Sequence, residues 1–390
     1  MKMKKIISLE KAIYSLILFL PLYLIRLKVF SIPTNLWEVF AFLLFFWWAS
    51  KRSGSYFNWK EESGRLLFLG LGLILAGFLV STLSRANYLA GLGIIKSWFL
   101  VPVIFSLITL DVLGRGKRDL IFNALYFSAF GVAVLSLAYY FLGNITYDGR
   151  LQGIFNSPNY LAMYLSPAVL IGFWRLIDKK EGQVSRKVIL ISFLAILLAL
   201  FFTFSYAAWI SVVLVLVGGV ILKEGRLGYV FVLALALLAI LFVERNSTKM
   251  NDLLNFSERS SLSSRTMIWR SSLKMVENNW FLGIGPGNFQ AYYLDYQKYY
   301  PPYLEWAVPH PHNIFLAFWL YGGILGIIGF LLLIYLFLGK VLSGMKIANS
   351  WQVISMAIVM YFFLHGLFDT TILKNDLAVV FWLAYLAVVL

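Results

Sequence analysis

The sequence predicts an all-α, polytopic membrane protein, and three observations predict it. Of 390 residues, 61% are hydrophobic and only 13% are charged, whereas a soluble domain carries about a quarter charged residues. Apolar runs of about 20 residues recur from end to end, the length that takes a helix across a hydrocarbon core of about 30 Å. The basic residues behind the net charge of +15 fall in short loops between those runs, a topological pattern rather than a nucleic-acid-binding face. The short alternating segments of a β-barrel are absent. With no cysteine, disulfides and thiolate chemistry are excluded.

About twelve spans fit this pattern. The first covers Leu9 to Phe30, broken by Pro21 and Arg26, and follows a basic start with no small-residue cleavage pattern, so it reads as an uncleaved span. Next come Asn35 to Ala49, Leu66 to Leu83, Leu92 to Leu110, Leu120 to Leu142 and Tyr160 to Ile177. Val188 to Thr203 and Tyr206 to Leu222 are separated by a very short turn, and Leu227 to Val243 is the ninth span. After a long polar stretch, Ile314 to Leu338, Val353 to Phe368 and Leu377 to Leu390 complete the set. We read residues 1–390 as a single integral membrane domain.

Lysine and arginine cluster on alternate loops, from Lys2, Lys4 and Lys5 through Arg115, Lys117 and Arg118 to Lys340 and Lys346. The positive-inside rule then puts both termini in the cytoplasm. It puts Arg26 to Leu36, Ser84 to Gly91, Asn144 to Pro158, Phe204-Ser205, the loop 244–311 and Asp369 to Asn375 on the outer face of the cytoplasmic membrane.

The loop 244–311 is too long for a simple connection. Ser263 or Ser264 offers a cap for an amphipathic helix through Met267, Ile268, Trp269, Leu273 and Met275-Val276, lying in the membrane interface. A turn at Gly283-Ile284-Gly285-Pro286-Gly287 follows; no strand precedes it, so it is not a dinucleotide loop, and no nucleotide is expected. Tyr292, Tyr293, Tyr296, Tyr299, Tyr300, Tyr303 and Trp306 then form an aromatic patch, read either as an interfacial anchor or as a sugar-stacking surface.

Chemistry is expected where this loop enters the tenth span, at Val308-Pro309-His310-Pro311-His312-Asn313. The prolines fix the backbone, and His312 can accept a proton near neutrality, with His310 as its rival and Asn313 beside it. His365, inside the eleventh span, is read either as functional or as a bridge between two helices. Arg265, Arg150 and Arg85 stand on the outward side that the positive-inside rule disfavours, where guanidinium groups suit either lipid phosphates or a bound diphosphate. Asp369 is a candidate partner for one of them, and Asp376 is read as a helix cap. No metal-binding acidic motif is found, so neither metal nor other cofactor is expected.

His312-Asn313, followed after nine residues by Gly323-Ile324-Leu325-Gly326, resembles the H-[N/S/Q]-x9-G-x-x-G signature of bacterial O-antigen ligases, a family that includes O-antigen polymerases. The run Arg150 to Asn159 is similar to its R-x-x-G-x-x-x-N-P-N stretch, and Gly283 to Phe289 to its G-x-G-x-G-x-F turn. The resemblance implies a GT-C-like fold and an inverting, metal-independent glycosyl transfer from undecaprenyl diphosphate to a lipid or glycan acceptor. It maps the base to His312 and the diphosphate-binding arginine to Arg265. One departure stands out: Ser205-Tyr206 lies where the family often has Ser-Arg, so Arg150 or Arg85 takes over that contact, or the donor differs. A polymerase is the alternative within the class. A transporter or flippase of lipid-linked sugars is the alternative outside it, but it calls for broken or charged helices at mid-membrane.

Overall fold

A computed structural model of the chain describes residues 2–29, 32–51, 62–85, 87–178, 184–223, 260–301, 308–343 and 350–390, with isolated short stretches between 228 and 255. Most of the expected ninth span, Leu227 to Val243, lies outside the described residues, as do Tyr303 and Trp306 of the aromatic patch and Lys346 of the basic loops.

The helices are α1 (Lys2–Leu18), α2 (Leu36–Ala49), α3 (Glu62–Leu83), α4 (Tyr88–Ile95), α5 (Val101–Leu113), α6 (Asp119–Phe141) and α7 (Pro158–Ile177). They continue with α8 (Arg186–Phe202), α9 (Tyr206–Lys223), α10 (Ser261–Asn279), α11 (Phe289–Tyr296), α12 (Ile314–Leu342), α13 (Ser350–His365) and α14 (Asn375–Val389). A π-helical turn, Lys96–Leu100, joins α4 and α5 into one rod. Among the described residues, five segments are long and apolar enough to cross a membrane: α3, the α4–α5 rod, Arg115–Phe141, α7 and α12. Four shorter apolar helices, Leu36–Ala49, Tyr206–Ile221, Ser350–His365 and Asn375–Val389, pack among them.

The first expected span is shorter than its apolar run. Helix α1 stops at Leu18 because Pro21, in the 3-10 turn Leu20–Leu24, lacks the amide that would continue it. The chain then forms an antiparallel hairpin of β1 (Arg26–Val29) and β2 (Ile32–Asn35), a small strand pair that the all-α expectation did not contain. Lys96 anchors it by donating to the Pro33 carbonyl and pairing with the buried Glu38 carboxylate, each at 2.6 Å.

The loops divide between two ends of the bundle. At one end Lys117 pairs with Glu10 at 2.6 Å, and the buried Arg118 donates to the Ala387 carbonyl at 2.8 Å. The loops that follow α3, α6, α8, α11 and α13 meet at the other end, where the histidines lie.

The packing that positions this second end runs along α3 and α12. A Cβ on Gly77 would collide with the Gly322 carbonyl, and one on Gly329 would come within 2.6 Å of the Gly70 carbonyl. The two backbones therefore touch through glycine, the small-residue contact that lets membrane helices approach closely. At Gly323, φ is +59°, and α12 kinks there. The kink frees backbone groups that dock the glycine turn: Ile324 N–H donates to the Phe281 carbonyl at 3.1 Å, and Ile284 N–H to the Leu320 carbonyl at 2.6 Å. The Gly-x-x-Gly half of the sequence signature is thus a docking seam. Gly323→Ala combines left-handed strain with a collision against the Phe281 carbonyl, a cost of about 3 kcal/mol. We expect the melting temperature in detergent to fall by at least roughly 5 °C; an unchanged melting curve would contradict this account of the seam.

Candidate active site

Pro309 and Pro311 bracket His310, and His312 adopts a left-handed backbone with φ +47°, a conformation rare for a residue with a side chain. Neighbours on both sides hold it there. The Asn313 side chain caps α12 by accepting from Phe315 N–H at 2.9 Å and Leu316 N–H at 3.1 Å. Its amide donates to the Leu367 carbonyl at 3.1 Å, and Ile314 N–H donates to the Gly366 carbonyl at 2.7 Å. The loop before α12 is thereby stitched to the loop after α13.

Helix α10 straps both loops. Its cap is Ser260, which accepts from Ser263 N–H, one turn earlier than the sequence suggested. Trp269 Nε1 donates to the His312 carbonyl at 3.2 Å. One turn before it, Arg265 Nε donates to the Phe368 carbonyl at 3.0 Å. The terminal nitrogens of Arg265 make no hydrogen bond among the described residues.

This stitching brings Asp369 between the two histidines. His310 Nε2 lies 3.4 Å from Asp369 Oδ1, and His312 Nδ1 lies 3.5 Å from Oδ2. The ring centroids of the histidines are 4.4 Å apart. The Asp369 side chain is 2% exposed, and those of His310 and His312 are 20% and 19% exposed. Asp369 was expected as an arginine partner; it faces the two imidazoles instead, and Arg265 takes the carbonyl beside it. Burial works against the Asp369 carboxylate, but His312 and His310 hold its pKa well below the usual range. Burial, then Lys374 and His312, push the His310 imidazole down to about 3, so His310 is neutral at working pH. His365 bonds Tyr361 at 2.6 Å within its own helix.

The arginines divide. Arg150, its side chain 14% exposed, donates through Nε to the Thr203 carbonyl at 2.8 Å and through Nη2 to Asn159 Oδ1 at 2.7 Å. Burial lowers its pKa; Asp148, 3.8 Å away, works against that shift, and the nearby Arg265 adds to it. Thr203 belongs to the turn that leads into Tyr206, so Arg150 lies against that turn. Arg85 is engaged differently: it donates to Tyr292 Oη at 2.8 Å, to Asn279 Oδ1 at 3.1 Å and to the Gly283 carbonyl at 2.7 Å, joining α3 to the glycine turn. Within the aromatic patch Tyr293 is fully buried and Tyr299 is 62% exposed, so the patch is partly core.

Chemically, His312 Nδ1 makes no hydrogen bond among the described residues, but a carboxylate 3.5 Å away favours a proton on Nδ1, which leaves the Nε2 lone pair free. Two imidazoles and a carboxylate whose ligand atoms lie within 4.8 Å of one another could also hold a metal ion. Sequence reading missed Lys374, which lies within electrostatic reach of His310 and Asp369; the only signal for it was its place in the last loop, shared with Asp369.

No curated protein matches the chain. The family resemblance read from the motifs is shown independently: residues 191–331, which include Arg265, His310, His312 and the Gly323 kink, match the family model described as O-antigen ligase.

Proposed function

We propose that this protein transfers a glycan from undecaprenyl diphosphate to an acceptor hydroxyl at the outer face of the cytoplasmic membrane, with inversion and without a metal ion. The family match supports glycan transfer of the ligase or polymerase type, and the apolar helices support a multi-pass inner-membrane protein. The observation that carries the reading is the imidazole–carboxylate–imidazole cluster of His312, Asp369 and His310, set beside Arg265, whose terminal nitrogens make no hydrogen bond among the described residues.

In this reading the acceptor hydroxyl donates its proton to His312 Nε2 as its oxygen attacks the anomeric carbon. The attack comes from the face opposite the diphosphate, and the bond from that carbon to the diphosphate oxygen breaks. The electron pair leaves with undecaprenyl diphosphate. That leaving group is already a stable anion and needs no acid; Arg265, with Arg150 behind it, absorbs its developing charge. Two guanidinium groups supply the positive charge that a divalent ion would supply elsewhere, which favours the metal-free reading of the cluster. The charge of Asp369 favours the Nδ1–H tautomer of His312, and Asn313 fixes its place at the head of α12.

His312→Ala is expected to lower the transfer rate about a hundredfold to ten-thousandfold while leaving binding of the lipid diphosphate unchanged. His310→Ala should cost less than about tenfold, because that imidazole does not accept the proton. Single-turnover transfer by purified protein, with donor binding measured in parallel, checks both; an undiminished rate for His312→Ala would remove it as the base. Arg265→Ala should weaken donor binding about tenfold or more, and Arg265→Lys should restore it only partly, since an ammonium lacks the planar fork. Prior treatment with a chelator should leave the rate unchanged; a loss that added zinc reverses would assign the same three side chains to a metal.

A further inference from the structure

Beside the cluster lies a second set of polar side chains that the mechanism above does not use. Tyr160, in the first turn of α7, donates to Asp376 Oδ1 at 2.5 Å. Phe155 stacks on its ring at 4.7 Å, and the Lys374 ammonium lies 4.8 Å from the ring centroid, so the phenol is held in one orientation. Asp376 is 1% exposed, and its Oδ2 is buried with no hydrogen-bond partner among the described residues. The sequence cast Asp376 as a cap, but α14 has no side-chain cap. The Tyr23 hydroxyl, whose ring lies 6.3 Å from that of Tyr160, is likewise buried and unpartnered among the described residues. Lys374 links this set to the cluster, since it is within electrostatic reach of Asp376, Asp369 and His310.

A buried carboxylate oxygen without a donor is costly, and native structures seldom keep one without a use. Here a carboxylate, two phenols and an ammonium come together, and the ammonium is within electrostatic reach of His310 and Asp369. The set is wrong for a diphosphate, because Asp376 and Asp369 would repel it. It is right for a neutral polyol, which donates to the carboxylate and accepts from the ammonium and phenols. The first turn of α7 separates the two roles: Asn159 meets Arg150, and the next residue, Tyr160, meets Asp376.

We infer that Asp376, Tyr160, Lys374 and Tyr23 form the subsite for the acceptor sugar, with a hydroxyl of a neutral hexopyranose on Asp376 Oδ2 and the reacting hydroxyl turned toward His312. The inference rests on the transferase reading and names its acceptor class.

The test uses the full chain in lipid nanodiscs and a panel of neutral methyl hexopyranosides at millimolar concentration, with binding read by saturation-transfer NMR. Wild type is expected to bind at least one member. Tyr160→Phe and Asp376→Asn should each weaken that binding about tenfold or more, since each disturbs a hydrogen bond to a charged group. Both should leave lipid-diphosphate binding unchanged, which shows that each variant is folded even where the lost buried hydrogen bond lowers the melting temperature. Tyr160→Phe keeps the ring and its packing, so it separates the hydroxyl from folding. Wild type binding no hexopyranoside, or both variants binding like wild type, would overturn the subsite. Failure of the transferase reading shows elsewhere, as undiminished transfer by His312→Ala, and does not depend on these variants.

Discussion

The site depends on one buried charge. Asp369 is withdrawn from water at the end of a membrane helix, where removing a carboxylate from solvent costs several kcal/mol unless partners replace the lost hydration. It accepts a hydrogen bond from Thr370 N–H at 2.7 Å, and two neutral-capable imidazoles rather than an arginine lie 3.4 and 3.5 Å from it. A guanidinium would neutralise the carboxylate permanently and leave it inert. An imidazole returns the charge as orientation: it presents one nitrogen to the acid and leaves the other for a substrate. The guanidinium of Arg265 instead holds the neighbouring Phe368 carbonyl, so its charge stays available on the other side of the same loop.

Holding two histidines on one carboxylate requires two loops to keep a fixed distance, and backbone contacts do most of this work. Asn313 and Ile314 tie the loop before α12 to Leu367 and Gly366, and Trp269 and Arg265 on α10 each take one carbonyl from either loop. The left-handed His312 costs about 1 kcal/mol or more, and this web of contacts holds it in place. Underneath, the glycine contact between α3 and α12 lets the kink at Gly323 receive the turn at Gly283, and Arg85 locks that turn from α3. The conformational constraints of the motif therefore reach well beyond the residues that touch substrate.

Much of this was legible in the sequence. Helix positions followed from apolar runs, since a helix in lipid must satisfy its own backbone, and α2, α7 and α12 start within two residues of where the runs begin. The end of α1 was misjudged because an apolar run does not stop at Pro21 while a helix does. His312, His310, Asn313 and Arg265 were found because a histidine between prolines and an outward arginine are both unusual. What was not legible is what long-range folding decides. Asp369 is 57 residues from His312, and Asp376 is 216 residues from Tyr160; no local pattern reports such pairings, and an acid in the first turn of a helix looks like a cap until its partner is known.

The distribution of charge around the cluster bears on Tyr206. A tyrosine cannot replace a cation in binding a diphosphate, yet Arg150 donates to Thr203 in the same turn and is close enough to Arg265 for mutual repulsion. Two guanidinium groups that repel each other in the absence of an anion are stabilised by one that lies between them, which is the arrangement a diphosphate would find most favourable. On the opposite side the carboxylates of Asp369 and Asp376 flank Lys374 and disfavour an anion. An electrostatic gradient thus runs across the base, from cations that favour the leaving group to acids that favour hydroxyls. In the proposed transfer this gradient suits an anionic carrier on one side and a neutral sugar on the other, with His312 between them.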